Sequence, residues 1–281
     1  MPETEFSEYC GHMYRLVQRL LDFVDGAVIP TIDAQVRTRP VCMRRRDNAI
    51  QITFVRIVRW LKTLARLNSS HDVQAVGAGA RGVFELYLDL RWFERFPQPE
   101  YVERFCAYPD VAMYLADLKV VEHKAKNPTS SVDTARQQAF MTSMDARPNG
   151  TMEQRVGDLW GRNAEGEPRW PRSHWTGKGN LPQRAKELGL DCEDAYVQLY
   201  PTLCALVHPG PAPEVRESLS DFVWLEEQIG FGYLHTFENA LAAAILTCDL
   251  LGVRQHVEGF DGAMRQFAEW KKEAMKTRPA K

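Results

Sequence analysis

The sequence predicts an all-α fold, a multi-helix bundle, and three observations carry that reading. Apolar residues recur at steps of three and four over most of the length. No run of alternating apolar and polar residues is long enough to build a sheet. Turn signals such as Pro97-Gln98-Pro99, Gly189 and Pro209-Gly210 fall where the periodic runs stop. At 281 residues, 44% hydrophobic and 26% charged, the chain can bury a sizeable core. It reads as one helical domain, 1–281, with an irregular ordered insertion at 146–181.

The elements follow in order. Phe6, Tyr9, Met13, Leu16, Val17, Leu20, Leu21 and Val24 form one apolar stripe, a first helix that Gly26 and Pro30 are expected to end. A second helix is expected over 47–67, with Ile50, Phe54, Ile57, Val58, Leu61 and Leu64 on one side. A third runs over 73–96, and shorter ones over 100–107, 109–126 and 132–143. From Ala146 to Leu181, glycines and prolines punctuate the chain while Trp160, Trp170 and Trp175 are interspersed. Exposing three rings of that size would discard substantial burial energy, so this stretch reads as ordered, with a short hairpin at Glu165-Gly166-Glu167. Pro182 as a first-turn residue and Gly189 as a stop frame a short helix over 183–188. Helices over 192–207, 213–228, 231–256 and 260–276 complete the chain.

The formal net charge is -2, so no global basic field advertises nucleic acid. Arg44-Arg45-Arg46 is the local exception, read as a solvated helix start with a basic patch as the alternative. The six cysteines, Cys10, Cys42, Cys106, Cys192, Cys204 and Cys248, stand far apart with no C-x-x-C pair, which speaks against a zinc ribbon and for a reducing compartment. Met1-Pro2-Glu3-Thr4-Glu5 has neither the basic nor the apolar region of a secretory signal. The longest apolar stretch, near Ala240 to Leu246, falls short of the ~20 residues a membrane span needs. The expected location is cytoplasmic, with no membrane partner.

Gly77-Ala78-Gly79-Ala80-Arg81-Gly82 fits G-x-G-x-x-G, but a dinucleotide site needs a strand buried on both faces before it. The residues before it include Asp72 and Gln74, which such a strand cannot accept, and nothing strand-like follows. Three glycines inside a helix forfeit ~2–3 kcal/mol of propensity, which close helix–helix approach could offset. No cofactor is expected. Metal-ligand spacings such as H-E-x-x-H are missing, so no metal is expected either.

Arg81 and Glu85, four residues apart, share a helix face among Val83, Phe84, Leu86 and Leu88. A partly buried guanidinium and carboxylate need each other or a ligand. His208 stands at a helix end against Pro209, where the helix dipole favours a cationic imidazole and where an acid/base role is equally open. Arg66 and His71 form an R-x4-H pair at a helix junction, with Ser69 and Asp72 as a capping box. Trp175, Lys178 and Tyr200 have the character of nucleotide-holding residues, two by stacking and one by charge.

Three segments together carry a resemblance: Arg81-Gly-Val-Phe-Glu85, His174-Trp-Thr-Gly-Lys178, and the tyrosine-rich stretch from Tyr196 to His208-Pro209. They look like a bacterial all-helical family of unknown function with an R-x-x-x-E helix, a W-[ST]-G-K turn and a helix ending in histidine. More distantly the chain resembles the HEPN superfamily of helical bundles, many of them metal-independent ribonucleases of toxin–antitoxin and phage-defence systems. The HEPN hallmark, R-x4–6-H, is matched in spacing by Arg66 and His71, although Leu67 stands where the motif has a polar residue. The resemblance implies RNA as partner and metal-independent cleavage as activity.

Two readings stand side by side. In one, the protein is a ribonuclease with His208, Arg81 and Glu85 as catalytic residues, Arg66 and His71 as the second candidate pair, and Trp175, Lys178 and Tyr200 as substrate-binding residues. In the other, the same polar residues are structural and the chain is a helical binding or assembly module, expected as a homodimer.

Overall fold

The computed structural model describes residues 7–171, 173–207 and 219–278, and the side chains of Cys42, Ser70 and 219–225 fall outside the description. In chain order the helices are α1 (Glu8–Phe23), α2 (Ile29–Arg37), α3 (Val41–Leu64), α4 (Val73–Arg95), α5 (Pro99–Lys126), α6 (Ala135–Asp145), α7 (Met152–Trp160), α8 (Leu181–Leu188), α9 (Leu190–Val207), α10 (Leu219–Leu250) and α11 (Phe260–Lys276). Among the described residues the only β-type pairing is one antiparallel bridge, Arg162 with Pro168. The fold class is all-α, as the periodicity predicts.

The chain forms two compact units, Met1–Arg95 with Leu188–Lys281, and Phe96–Glu187. In the first, α4 is central, and α10, α3 and α9 each pack along it. The side chains that fill this core include Phe54, Phe84, Trp92, Phe93, Tyr233 and Phe237, all nearly inaccessible. Two buried tyrosines finish α3. Tyr14 donates to the Ala65 carbonyl at 2.7 Å and Tyr233 to the Leu67 carbonyl at 2.6 Å. Carbonyls left open where a helix stops are thereby satisfied inside the core.

The glycine run of α4 is a packing device. A Cβ on Gly77 would stand 2.7 Å from Leu206 Cβ, one on Gly79 2.7 Å from a Leu64 methyl, and one on Gly82 2.6 Å from Trp60 Nε1. Gly79 and Gly82 let α3 approach, and Gly77 lets α9 approach, so the lost propensity is exchanged for close contact on two sides. The two contact series also fix direction. Along α4, Gly79 and then Gly82 meet Leu64 and then Trp60 of α3, so the two helices run antiparallel.

Several boundaries differ from the sequence expectation, each for a local reason. Gly26 and Pro30 do not end the first helix. A π-helical turn, Val24–Val28, carries it into α2, whose first turn accepts Pro30 because that position needs no N–H. Pro109 lies inside α5 rather than at its start, with Ala107, Tyr108, Val111 and Tyr114 packed into one cluster on either side of it. The expected break between 228 and 231 is absent, since Gly230 and Gly232 give passage to the Tyr9 ring and the Val76 side chain and the helix runs through. Residues 213–218 of the helix expected there lie outside the described residues.

The second unit has its own core of Val111, Met144, Met152, Val156 and Trp160. Its irregular stretch contains a helix, α7, that the periodicity misses. Thr151 and Gln154 form a reciprocal capping box at its start, with Gln154 N donating to Thr151 Oγ1 at 3.2 Å. The expected hairpin is present as the Arg162–Pro168 bridge, with Asn163 N donating to the Glu167 carbonyl at 2.8 Å. The three tryptophans are ordered. Trp160 donates from Nε1 to the Trp175 carbonyl at 2.8 Å, and Trp170 stacks on Tyr114 with ring centroids 5.8 Å apart.

Candidate functional site

On α4, residues 78, 81, 82 and 85 form the line that remains partly accessible between its two partners. Trp60 of α3 lies beside Gly82, and Tyr200 of α9 lies beside Arg81 and Glu85. Helix α9 runs antiparallel to α4. Arg91 pairs with Asp191 at 2.9 Å, Tyr200 reaches Glu85, and Leu206 meets Gly77. This register brings Tyr200 to a residue 115 positions earlier in the chain.

The cluster at that point is built on one carboxylate oxygen. Glu85 Oε1 accepts from Arg81 Nε at 2.8 Å and from the Tyr200 hydroxyl at 2.9 Å. The guanidinium also lies over the Tyr200 ring, 5.0 Å from its centroid, and Tyr196 stacks on Tyr200 at 5.1 Å. Arg81 and Glu85 are neither buried nor free, with side chains 31% and 35% exposed. Among the described residues, the terminal guanidinium nitrogens of Arg81 and Oε2 of Glu85 make no further hydrogen bond. The arrangement anchors the arginine by one nitrogen, and a guanidinium held in this way keeps N–H donors with which it can bind an oxyanion.

Electrostatics follow from this geometry. The hydrogen bond to Glu85 and the carboxylate charge hold the Arg81 proton more firmly than usual. Burial, the Glu85 charge and the shared hydrogen bond push the Tyr200 phenol well above its ordinary range, so it stays a neutral donor. Elsewhere, burial pushes the Cys192 thiol up to about 11 and the Cys248 thiol up to about 12, which leaves both as inert thiols. Among the described residues, no group of three His, Cys, Asp or Glu side chains stands at metal-holding spacing.

The other expected site residues have different surroundings. His208 lies outside the described residues. Arg66 and His71 are both exposed, and among the described residues no hydrogen bond or ion pair joins them. The capping box beside them is present, with Ser69 N donating to Asp72 Oδ2 at 3.1 Å and His71 N to Ser69 Oγ at 3.3 Å. In the second unit, Trp175 is 3% exposed and meets Phe105 edge-on at 5.4 Å, so it packs rather than offering a face for stacking. The turn that carries it needs Gly177, where a φ of +76° disfavours a side chain and an added Cβ would stand 2.8 Å from Trp160 Cδ1. Lys178 pairs with Glu187 at 3.1 Å. Trp60, on the other flank of the α4 line, had one sequence signal, the missing side chain at Gly82.

Fold and site define an all-helical protein in which an arginine–carboxylate–phenol cluster joins two antiparallel helices. The chain belongs to a family of unknown function, DUF5677, whose model matches residues 47–221. That span contains Arg81, Glu85, Trp175, Lys178, Tyr200 and His208. No curated protein and no solved structure matches the chain.

Proposed function

We propose that this protein is a metal-independent ribonuclease, a helical bundle of the HEPN kind, acting at the Arg81–Glu85–Tyr200 cluster. One observation carries the reading. Arg81 is fixed through Nε by Glu85 while its terminal donors stay open, which is the preorganisation that stabilising a phosphorane requires. His208, next in sequence after the last residue of α9, serves as general base and takes the proton of a ribose 2′-hydroxyl. The 2′-oxygen bonds to phosphorus as the bond to the 5′-oxygen breaks, and that oxygen leaves with a proton from the imidazolium. Glu85 holds the guanidinium in place, and Tyr200, kept neutral, lends its ring to the guanidinium and its hydroxyl to Glu85. Tyr196, stacked on Tyr200, offers its ring to the nucleotide.

The test is incubation of the purified chain with RNA in excess chelator, with product analysis. Products ending in a 2′,3′-cyclic phosphate support the reading, and intact RNA across varied sequences and structures defeats it. The second reading, a helical binding or assembly module, draws on a different fact: Arg81 and Glu85 already satisfy one another at 2.8 Å, as a structural pair would.

A further inference from the structure

The accessible line of α4 has an aromatic side chain on each flank. On the α9 side, Tyr200 lies beside Arg81 and Glu85 with Tyr196 stacked on it. On the α3 side stands Trp60, one turn from Ile57 and Leu64 at the edge of the buried face of that helix. Those two neighbours are inaccessible, whereas Trp60 is only half-buried. Its indole lies against α4 at Gly82, where an added Cβ would stand 2.6 Å from Nε1 and 3.2 Å from Cζ2. Gly82 directly follows Arg81, so the missing side chain seats the ring at the arginine's neighbour in the chain. Among the described residues, the Nε1–H of Trp60 makes no hydrogen bond and its ring meets no other aromatic ring.

We infer that Trp60 forms a nucleobase subsite on the α3 side of the cluster. This rests on the ribonuclease reading, which puts the scissile phosphate at Arg81. In a nucleotide the base stands one sugar away from the phosphate, and on α4 the seat of the indole stands one residue away from the guanidinium. A base offers a π face and acceptors along its edge, and an indole offers a π face and one donor. A phosphate by itself engages the donor and gains nothing from the ring. Tyr196 on α9 and Trp60 on α3 then serve the nucleotides on opposite sides of the scissile phosphate.

The test uses the intact chain and two fluorescein-labelled 2′-O-methyl strands of equal length, an oligouridylate and the same backbone without bases. Neither strand carries the nucleophilic hydroxyl, so binding is measured whether or not the protein cleaves RNA. In anisotropy titrations Trp60→Ala should bind the oligouridylate about tenfold more weakly than wild type, the effect of one lost stacking partner. It should bind the base-free strand as wild type does, because that strand has nothing to stack. Trp60→Phe, which keeps a ring, should stay within a few-fold of wild type on both strands. Circular dichroism checks that each variant folds. A loss of equal size on both strands means that Trp60 only supports the fold, and it overturns the inference. So does wild-type affinity of Trp60→Ala for the oligouridylate, or no binding of that strand by the wild type. Cleavage of unmodified RNA in excess chelator, measured beside the titrations, separates the two readings. Cleavage without a Trp60 effect on binding removes the subsite and leaves the ribonuclease, whereas a base-dependent Trp60 effect without cleavage keeps the subsite and removes the ribonuclease.

Discussion

The Tyr200 hydroxyl donates to Glu85 Oε1 at 2.9 Å, the same oxygen that accepts from Arg81 Nε at 2.8 Å. A phenol and a guanidinium converge on one lone-pair-bearing atom, and they reach it from different helices. The pair ties α9 to α4 midway between the Arg91–Asp191 ion pair and the Gly77–Leu206 contact. Register between the two helices and geometry at the cluster are therefore one property.

Tyr200→Phe removes that hydrogen bond and leaves the ring. The expected loss of stability is about 1 kcal/mol, read from the urea midpoint. In a double-mutant cycle with Glu85→Ala the two changes should fail to add, because each removes the same bond. Additive effects would mean that the Tyr200–Glu85 contact contributes nothing in solution.

Alkaline stability follows from the same contact. Burial first, then the Glu85 charge and hydrogen bond, raise the Tyr200 phenol above its ordinary value of 10.0. A group whose folded pKa lies above its unfolded one contributes stability that is present below the unfolded value and lost as pH climbs through the folded one. Stability should therefore decline from about pH 10 upward, and Tyr200→Phe should flatten part of the decline. An identical alkaline profile in the variant would refute this assignment.

The α4 glycines differ in what faces them, which sets an order. At Gly77 the obstacle is Leu206 Cβ, attached to the α9 backbone, so Gly77→Ala must move a helix and should cost ~1–3 kcal/mol. Gly82→Ala meets the half-buried Trp60 ring, which can swing, and should cost less. Gly262→Ala on α11 meets nothing within 4 Å and should stabilise by up to ~1 kcal/mol through helix propensity. Denaturant midpoints for the three variants check the order.

Acid pH probes a different group. Burial pushes the Glu238 carboxyl up, but hydrogen bonds and charge from His235 and Lys271 outweigh it and hold the carboxyl below its ordinary value of 4.5. His235 Nδ1 stands 2.9 Å from Glu238 Oε2, and Lys271 contacts the other oxygen. A lowered carboxyl contributes stability above its unfolded value, and that contribution disappears as pH falls through the folded one. Glu238→Gln should thus be less stable than wild type near neutrality, with the gap closing below about pH 4.5. A gap that stays constant through the acid range would contradict the pairing.

What could be read from the sequence was whatever local chemistry decides. The range of α11 came from periodicity alone, and the glycine run of α4 declared close packing because three glycines in a helix need a reason. Arg81 and Glu85 were legible as a pair because four residues on a helix make neighbours. Tyr200 as their third member was not, since a contact across 115 positions depends on how α9 lies along α4. Helix α7 did leave a signal in Thr151-x-x-Gln154, but its few apolar residues are too short a run for periodicity to register. Pro109 and Pro30 read as breaks because a missing N–H is a local fact, while the packing and first-turn placement that tolerate it are not. Trp175 has the look of a stacking residue in sequence, and only its position beside Phe105 makes it a core side chain.

The most direct measurement is the RNA-cleavage rate in excess chelator for wild type, Arg81→Lys, Glu85→Gln and His208→Ala, each checked for unchanged helicity and melting temperature. A site that stabilises a phosphorane through an anchored guanidinium predicts a loss on the order of 100-fold or more in each folded variant. It also predicts no rescue of Arg81→Lys, because an ammonium cannot be held by Glu85 and still present a fork. Wild-type rates in folded Arg81→Lys and Glu85→Gln would contradict the account and leave the cluster as a structural tie between α4 and α9.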